Sequence, residues 1–353
     1  MKLPLLGCSM GDPAGIGPEI LLAAAAELGA TGDRGAQRSP STAKGPRAAC
    51  LFLGDAAVFE TYAQRLKNID LPLTVPSATE ARAAADKGQP GPFLLECAPV
   101  SAGLVPGQPR PVDGAAALAA IQTGARLAAI GAIDALVTAP LSKHGVAAHE
   151  PGFKGHTEFL AALDSGALPV MLFAAPRPLT RATPSPAVDI ALLTTHLPLV
   201  TAIAMVRPAI VEAGLRRLHD AWGSCFGREP VIGVAALNPH AGEHGAIGGE
   251  EPRVLAPAIR AVADDGIDAR GPYPADSIFL RGELDVILAL YHDQGTIMAK
   301  RAPWPTVNLT LGLSYVRTSP DHGTAYDLAG AGRADHQAML AALRMAAQLV
   351  IEQ

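Results

Sequence analysis

Short, nearly continuous apolar runs alternate with longer Ala-rich segments along most of the chain. Continuous apolar runs are typical of strands that are covered on both faces, and Ala-rich segments favour helices. The alternation therefore predicts βαβ units and an α/β layered fold around a largely parallel sheet. The predicted strands are 3–10, 49–53, 135–138, 190–195, 231–237 and 286–290. The predicted helices are 18–28, 114–130, 200–220, 251–264 and 336–352.

Two polar stretches, residues 29–47 and 176–186, interrupt the alternation and contain almost nothing apolar. Such segments cannot bury themselves, so we predict surface loops and assign them no function. The chain shows no internal repeat at a fixed period, which argues against a solenoid or a propeller.

Composition narrows the classes of protein that the chain can be. Its 353 residues are 49% hydrophobic and 17% charged, enough for one large or two moderate domains. The net charge of -5 is spread along the sequence, so no basic stripe for nucleic acid is expected. No apolar run reaches the length of a membrane span, and the run before Cys8 is shorter than a secretion signal needs. The four scattered cysteines predict reduced thiols and a cytoplasmic location.

Histidines follow three of the predicted strands, at His196, His240 and His292. In open α/β sheets, ligands bind beyond the carboxyl ends of the strands. A single histidine at such a position is more often a structural hydrogen-bonding group than a ligand. Three histidines at such positions favour a role as ligands. Three imidazoles and one open position are typical of a catalytic site for a metal such as Zn or Co. The spacings of 44 and 52 residues form no local motif, so this hypothesis depends on the fold.

Another polar group, residues 154–158, directly precedes the apolar residues 159–161 and is predicted to begin a helix. His156 and Thr157, with backbone amides at the helix start, could bind a phosphate or a carboxylate. An equally good interpretation is a capping box in which Thr157 merely caps the helix.

The glycine-rich segment 11–19 follows a predicted strand and opens a helix. Its G-x-x-x-G-x-G spacing matches neither the dinucleotide fingerprint nor a Walker loop. Tight turns between strand and helix explain the glycines equally well, so no nucleotide is predicted at this segment.

Glycine, serine, threonine, aspartate and histidine are dense at residues 308–313 and 317–332. This density indicates a backbone that a polar ligand approaches closely. Arg317 supplies a planar fork suited to a carboxylate or phosphate, and Lys300 supplies a second cation. The alternative is a Gly-rich surface turn with ordinary ion pairs.

Seven motifs, in this order, resemble those of the 4-hydroxythreonine-4-phosphate dehydrogenase (PdxA) family of pyridoxal phosphate biosynthesis. They are residues 11–19, 154–161, 195–199, 238–243, 291–295, 307–313 and 317–332. The resemblance implies two α/β/α-layered domains around a central cleft, similar to isocitrate and isopropylmalate dehydrogenases, without a Rossmann fingerprint. The expected domains are 1–125 plus 300–353, on the NAD-binding side, and 126–299, with the metal site and the dimer interface.

The same resemblance implies roles for individual residues. It assigns metal binding to His196, His240 and His292. It assigns substrate binding to His156, Thr157, Lys300, Asn308 and Arg317, with Lys300 and His156 also catalytic. It assigns cofactor binding to His322, Gly323, Ala325 and Asp327. It also implies a homodimer whose active site is shared across the interface, with the third histidine supplied as His292 of the partner subunit.

The implied reaction is NAD-dependent oxidation of 4-phosphohydroxy-L-threonine to 2-amino-3-oxo-4-(phosphooxy)butanoate. That product decarboxylates to 3-amino-2-oxopropyl phosphate, in pyridoxine 5'-phosphate biosynthesis. NADP is the alternative cofactor, and Zn, Mg and Co are the candidate divalent metals. One rival hypothesis is a paralogous dehydrogenase acting on phosphothreonate or an aromatic cis-dihydrodiol. A rival of another class is a non-catalytic protein that binds metal or nucleotide.

Overall fold

The computed structural model describes residues 2–29, 47–66, 69–100, 102–175, 188–302 and 305–352. Residues 30–46 of the first polar stretch and all of the second lie outside these ranges, so the two predicted loops stay predictions. Within the described ranges, no helix is both long and apolar enough to cross a bilayer.

The elements follow one another along the chain largely as the apolar pattern predicts. The strands are β1 Leu5–Ser9, β2 Ala49–Gly54, β3 Leu73–Thr74, β4 Phe93–Glu96, β5 Ala135–Thr138, β6 Val170–Ala174, β7 Asp189–Leu192, β8 Ile232–Ala235, β9 Ala269–Tyr273, β10 Val286–Ala289, β11 Val307–Leu311 and β12 Val316–Pro320. The helices are α1 Gly17–Gly29, α2 Ala56–Ala63, α3 Ala78–Asp86, α4 Asp113–Ala129, α5 Lys143–Ala147, α6 His156–Leu163, α7 Leu199–Met205, α8 Pro208–Phe226, α9 Ala256–Asp264, α10 His292–Arg301 and α11 Gln337–Glu352.

The chain divides into two compact units, a terminal unit of Met1–Ala167 with Leu313–Glu352 and a middle unit of Leu168–Gly312. The sequence also predicts a discontinuous terminal domain, but places its borders after residue 125 and before residue 300. The difference has a structural cause, since β5 pairs with β1 and β11 pairs with β6. These pairings hold β5 in the terminal unit and β11 in the middle unit.

In the terminal unit the strand order is β3-β4-β2-β1-β5-β12, and the neighbouring strands pair in parallel. Every residue of β1, β2 and β5 is buried, as expected for strands covered on both faces. Because parallel strands all point the same way, the residues after β1, β5 and β12 emerge at one edge of this sheet.

In the middle unit the strand order is β11-β6-β7-β10-β8-β9. Strands β7, β10, β8 and β9 pair in parallel, whereas β6 is antiparallel to both β11 and β7. Met171, Phe173, Ile190, Leu192 and Ala289 pack together in its core. The prediction of an α/β fold is confirmed, with an antiparallel strand inserted into the largely parallel sheet.

The predicted helix 200–220 is wrong, because the structure divides it into α7 and α8. Arg207 between them is extended, with φ -129° and ψ 151°, and Pro208 occupies the first turn of α8. Proline disfavours a helical conformation in the residue before it and cannot donate to the preceding turn. It is, however, well suited to a first helical position. The proline therefore ends one helix and begins the next.

Candidate active site

Arg317, the second residue of β12, is 1% exposed. Its Nη2 donates a hydrogen bond of 2.6 Å to Oγ1 of Thr138, the last residue of β5. Burial lowers the pKa of Arg317 to about 10, against the opposing influence of Tyr315 and Glu158. The guanidinium thus stays charged at neutral pH. A cation this deeply buried is costly unless it is hydrogen-bonded or paired, and its fork suits a bidentate anion.

His156 is the first residue of α6, and its Nε2 is buried with no hydrogen-bond partner among the described residues. Burial, with the positive charges of Arg317 and Lys143, holds the pKa of His156 well below its usual range. A neutral imidazole carries one N–H donor and one acceptor. His156 can therefore donate to an anionic ligand without taking up a proton.

The capping interpretation of Thr157 is wrong. The residue that caps α6 is Gly155, and no side chain supplies a cap hydrogen bond there. Thr157 lies inside the first turn and is 6% exposed. Anion binding by residues 154–158 stays a prediction.

The pKa of His156 provides a test of this arrangement. In the folded protein His156 takes up its proton only at low pH, so the unfolded chain binds more protons below about pH 6.5. His156 therefore lowers the stability of the fold as the pH falls. Lys143→Met should raise the pKa of His156, because one of the two positive charges acting on it is removed.

The measurement is an NMR titration of the His156 ring in the wild type and in Lys143→Met. Lys154→Met is the matched control, since Lys154 is exposed and is not among the charges that shift His156. An equal shift in both variants, or none in Lys143→Met, would contradict this account of the site.

The loop 321–334 in the terminal unit carries the four residues assigned to the cofactor. The Nε2 of His322 is buried without a hydrogen-bond partner in the described part of the chain. A Cβ added to Gly323 would meet nothing within 4 Å, and Ala325 has a φ of 40°. An orphaned ring nitrogen beside open space at a glycine fits the close approach of a polar ligand. Asp327 lies on the same loop and is exposed.

The three predicted metal ligands lie in the middle unit at one edge of its sheet. His196 follows β7, His292 follows β10 and His240 follows β8, and these three strands are parallel neighbours. The rings of His196 and His292 lie 5.5 Å apart, centroid to centroid. The Nδ1 of His292 is 2.7 Å from Oδ1 of Asp293, which leaves its Nε2 facing elsewhere. A carboxylate that contacts the other ring nitrogen in this way typically orients a metal-binding imidazole.

His240 lies in the turn Pro239–Gly245, where five successive residues from His240 to His244 have φ between 41° and 75°. Left-handed backbone costs about 1–2 kcal/mol for each non-glycine residue. The buried carboxylate of Glu251 holds the start of this turn, accepting from the backbone N of Leu237 at 3.0 Å and of Asn238 at 2.7 Å. Such strain persists only where the surroundings enforce it, and it is common at functional sites.

The described residues contain no group of three His, Cys, Asp or Glu side chains that could hold a metal ion. The structure thus brings His196 and His292 together and does not bring all three histidines together. Two neighbouring imidazoles fit part of a metal site, and a further ligand has to join them.

The other two predicted substrate ligands, Lys300 and Asn308, also belong to the middle unit. Lys300 is exposed in the last turn of α10. Asn308 lies in β11, and its Oδ1 is buried without a hydrogen-bond partner among the described residues. A buried amide oxygen without a partner is costly, which makes Asn308 a candidate for contact with a ligand.

Sequence reasoning gave no role to Lys143, Asp12 and Glu19, although each contacts or acts on a candidate functional segment. The local signal for Lys143 is its position after the predicted strand 135–138. Asp12 and Glu19 are both buried, at 4% and 2% exposed. Their partners lie more than 300 residues away along the chain, so no local pattern could reveal them.

A buried guanidinium, a neutral buried imidazole and a pair of histidines at a parallel sheet edge are typical of an α/β enzyme. The chain belongs to the family described as pyridoxal phosphate biosynthetic protein PdxA, whose model matches residues 47–346. The predicted family is confirmed.

Curated relatives and solved structures match nearly the full length of the chain. One is 4-hydroxythreonine-4-phosphate dehydrogenase of Janthinobacterium sp. (strain Marseille), 39% identical, covering 99% of this chain and 97% of the relative. Another is D-threonate 4-phosphate dehydrogenase of Cupriavidus necator, 36% identical, covering 98% and 97%. A crystal structure of 4-hydroxythreonine-4-phosphate dehydrogenase from Klebsiella pneumoniae matches with a TM-score of 0.79 and 30% identity, covering 98% of this chain and 99% of that one.

Proposed function

We propose that this chain is a metal- and NAD-dependent dehydrogenase that oxidises 4-phosphohydroxy-L-threonine to 2-amino-3-oxo-4-(phosphooxy)butanoate, which decarboxylates to 3-amino-2-oxopropyl phosphate. The observation that carries the proposal is the buried cation Arg317, which helps to keep His156, the first residue of α6, neutral. Both relatives described above are named as dehydrogenases of 4-phosphate compounds, which supports it. The four cysteines are free thiols, which favours a cytoplasmic enzyme.

In this proposal the residues bind and orient the substrate more than they react with it. The guanidinium of Arg317 binds an anionic group of the substrate through two hydrogen bonds, and His156 donates its N–H to the same substrate. Thr157, Lys300 and Asn308 keep their assigned roles in substrate binding, and Lys300 and His156 keep their assigned catalytic role, which is to orient the anionic substrate. A divalent metal on His196, His240 and His292 would supply a lowered pKa at the substrate hydroxyl and stabilisation of the enolate formed as carbon dioxide leaves. NAD on loop 321–334 would accept the hydride.

A homodimer is part of the proposal, because the histidine pair adjoins exposed apolar surface. Directly after His196, helix α7 exposes Leu199, Val200 and Ile203, with Val200 77% exposed. Helix α10, which begins at His292, exposes Ile297 and Met298. Groups of exposed apolar side chains are typical of a surface covered by another chain. In this proposal a twofold dimer covers the same surface on both copies, and His292 of the partner subunit completes the site of His196 and His240.

The second candidate function is oxidation of D-threonate 4-phosphate. It is favoured by the relative of that name, whose 36% identity is close to the 39% of the first. The two substrates share the phosphate that Arg317 would hold and differ in the groups around the carbon next to the carboxylate. Recognition of an amino or a hydroxyl group there therefore decides between them.

The proposed function predicts NADH formation from 4-phosphohydroxy-L-threonine that stops when a chelator removes the metal. The measurement is absorbance at 340 nm with each of the two substrates, with NAD or NADP, before and after chelation and after metal is added back. A higher kcat/KM on D-threonate 4-phosphate would select the second candidate. Nucleotide binding without turnover of either substrate would instead favour a non-catalytic protein.

A further inference from the structure

The glycine-rich segment 11–19 has no role in the function proposed so far, yet it contacts the candidate cofactor loop 321–334 at three residues. We call Asp12, Ile16 and Glu19 the N-terminal clasp. All three lie in the terminal unit, and each hydrogen-bonds to a different part of the loop.

Glu19, in the first turn of α1, makes two hydrogen bonds to the loop. Its Oε2 accepts from the backbone N of Gly330, and its Oε1 accepts from the backbone N of Ala334, both at 2.9 Å. Its side chain is buried, so its charge is costly unless hydrogen bonds compensate for it. Charge-assisted bonds to amides are about twice as strong as neutral ones. Glu19 therefore holds the second half of the loop at two points.

Asp12 and Ile16 hold the first half of the loop. The Tyr326 hydroxyl donates to Oδ2 of Asp12 at 2.7 Å, and the backbone N of Ile16 donates to the carbonyl oxygen of Thr324 at 2.9 Å. Burial raises the pKa of Tyr326 to about 12, so its hydroxyl keeps the proton that it donates. A Cβ on Gly15 would lie 3.1 Å from both Cβ and O of Thr324. The glycine thus permits the close approach of segment and loop.

Two of the residues assigned to the cofactor, Ala325 and Asp327, lie between these held positions, and His322 and Gly323 directly precede them. Ala325 has a φ of 40°, which a non-glycine residue adopts only where neighbouring contacts enforce it. Its two neighbours, Thr324 and Tyr326, are the residues that the clasp holds. The conformation of this stretch is therefore set from the segment 11–19.

We propose that the glycine-rich segment 11–19 is a positioning element for the dinucleotide. Its Asp12, Ile16 and Glu19 hold loop 321–334 in the conformation that binds NAD, without themselves touching the cofactor. Gly15 of this segment thus serves contact with another loop and not with a phosphate. The inference rests on the NAD-dependent activity proposed above.

The test is NAD binding to Glu19→Gln, measured as the Kd by fluorescence titration without substrate, together with hydrogen exchange of the amides at residues 330–334. Glutamine keeps the size but turns one acceptor into a donor that faces a backbone N–H, a loss that costs on the order of tenfold in affinity. We expect a Kd for NAD raised about tenfold and faster exchange at residues 330–334. The substrate KM and the metal content should stay at wild-type values.

Glu27→Gln is the matched control, with the same substitution on the same helix. The Oε2 of Glu27 lies 2.9 Å from Nε2 of His336, beyond the loop, so the Kd for NAD should not change. Tyr326→Phe, which removes one hydroxyl, should weaken NAD binding in the same direction as Glu19→Gln. An unchanged Kd in Glu19→Gln, or an equal loss of NAD, substrate and metal binding with a lower Tm, overturns the positioning role of the N-terminal clasp. Wild-type protein that binds no NAD overturns both the proposed activity and this positioning role.

Discussion

Replacing His196 with alanine is expected to remove the bound metal and to lower NADH formation by more than about a thousandfold, because a metal that activates a hydroxyl supplies several kcal/mol to the transition state. His196 follows β7, and its ring lies 5.5 Å from that of His292. Removing one imidazole from a three-ligand site leaves too few donors to hold the ion. Metal content by elemental analysis and NADH formation are measured on the same preparation.

His219→Ala is the control, since His219 lies on α8 in the same unit and is paired with Asp220. A His196→Ala protein with full metal content and activity would refute the metal site.

Subunit mixing distinguishes a metal site shared between two chains from one within a single chain. If His292 serves the site of the other subunit, a mixed dimer of His196→Ala and His292→Ala retains one intact site. Random exchange then restores about a quarter of wild-type activity, because half of the twofold dimers are mixed. If the pair seen in one chain forms the site there, each mixed dimer has two damaged sites and no activity returns. Sedimentation of both variants as dimers is the condition for interpreting the result.

The strand-end histidines show how far sequence alone leads towards this site. Each of the three follows an apolar run, and each run became a strand of the middle unit. Their adjacency depends on the order β7-β10-β8, which is not the order along the chain. Sequence alone predicts imidazole ligands at a sheet edge, and only the crossover topology makes the three strands neighbours. The close pairing of His196 with His292 follows from that order, since β7 and β10 lie side by side.

Two strands that carry candidate site residues, β11 and β12, are not predicted from the sequence because they are polar. β11 contains Asn308 and Thr310, and β12 contains Arg317, Thr318 and Ser319, so neither shows the continuous apolar run of a buried strand. Their polar side chains are nevertheless mostly buried. Local pattern and fold disagree where a site needs buried polar groups, and this is where pattern-based prediction is expected to fail. The break at Pro208, by contrast, could have been predicted from the proline itself.

The second large effect is expected at Arg317. Arg317→Lys keeps the positive charge but loses the planar fork and its bond to Oγ1 of Thr138. We expect kcat/KM for the phosphorylated substrate to fall about a hundredfold, equivalent to about 2.7 kcal/mol, within the range measured for losing a buried charged hydrogen bond. The loss should appear chiefly in the substrate KM, because an interaction made in both the ground state and the transition state changes binding. Steady-state kinetics with each substrate varied in turn provide the measurement.

Arg317→Lys is more informative than a variant without the charge, because it changes the geometry of the cation and keeps its charge. Arg317→Met would remove the positive charge that compensates the negative charge of Glu158. The variant would then be less stable, and lower stability reduces activity in the same way as weaker substrate binding. The lysine variant keeps that compensation, so its Tm should stay near that of the wild type. Arg126→Lys, an exposed arginine on α4 of the same unit, should leave both kcat and KM unchanged. If Arg317→Lys retains the wild-type substrate KM, the buried guanidinium is structural and the anionic group of the substrate binds elsewhere.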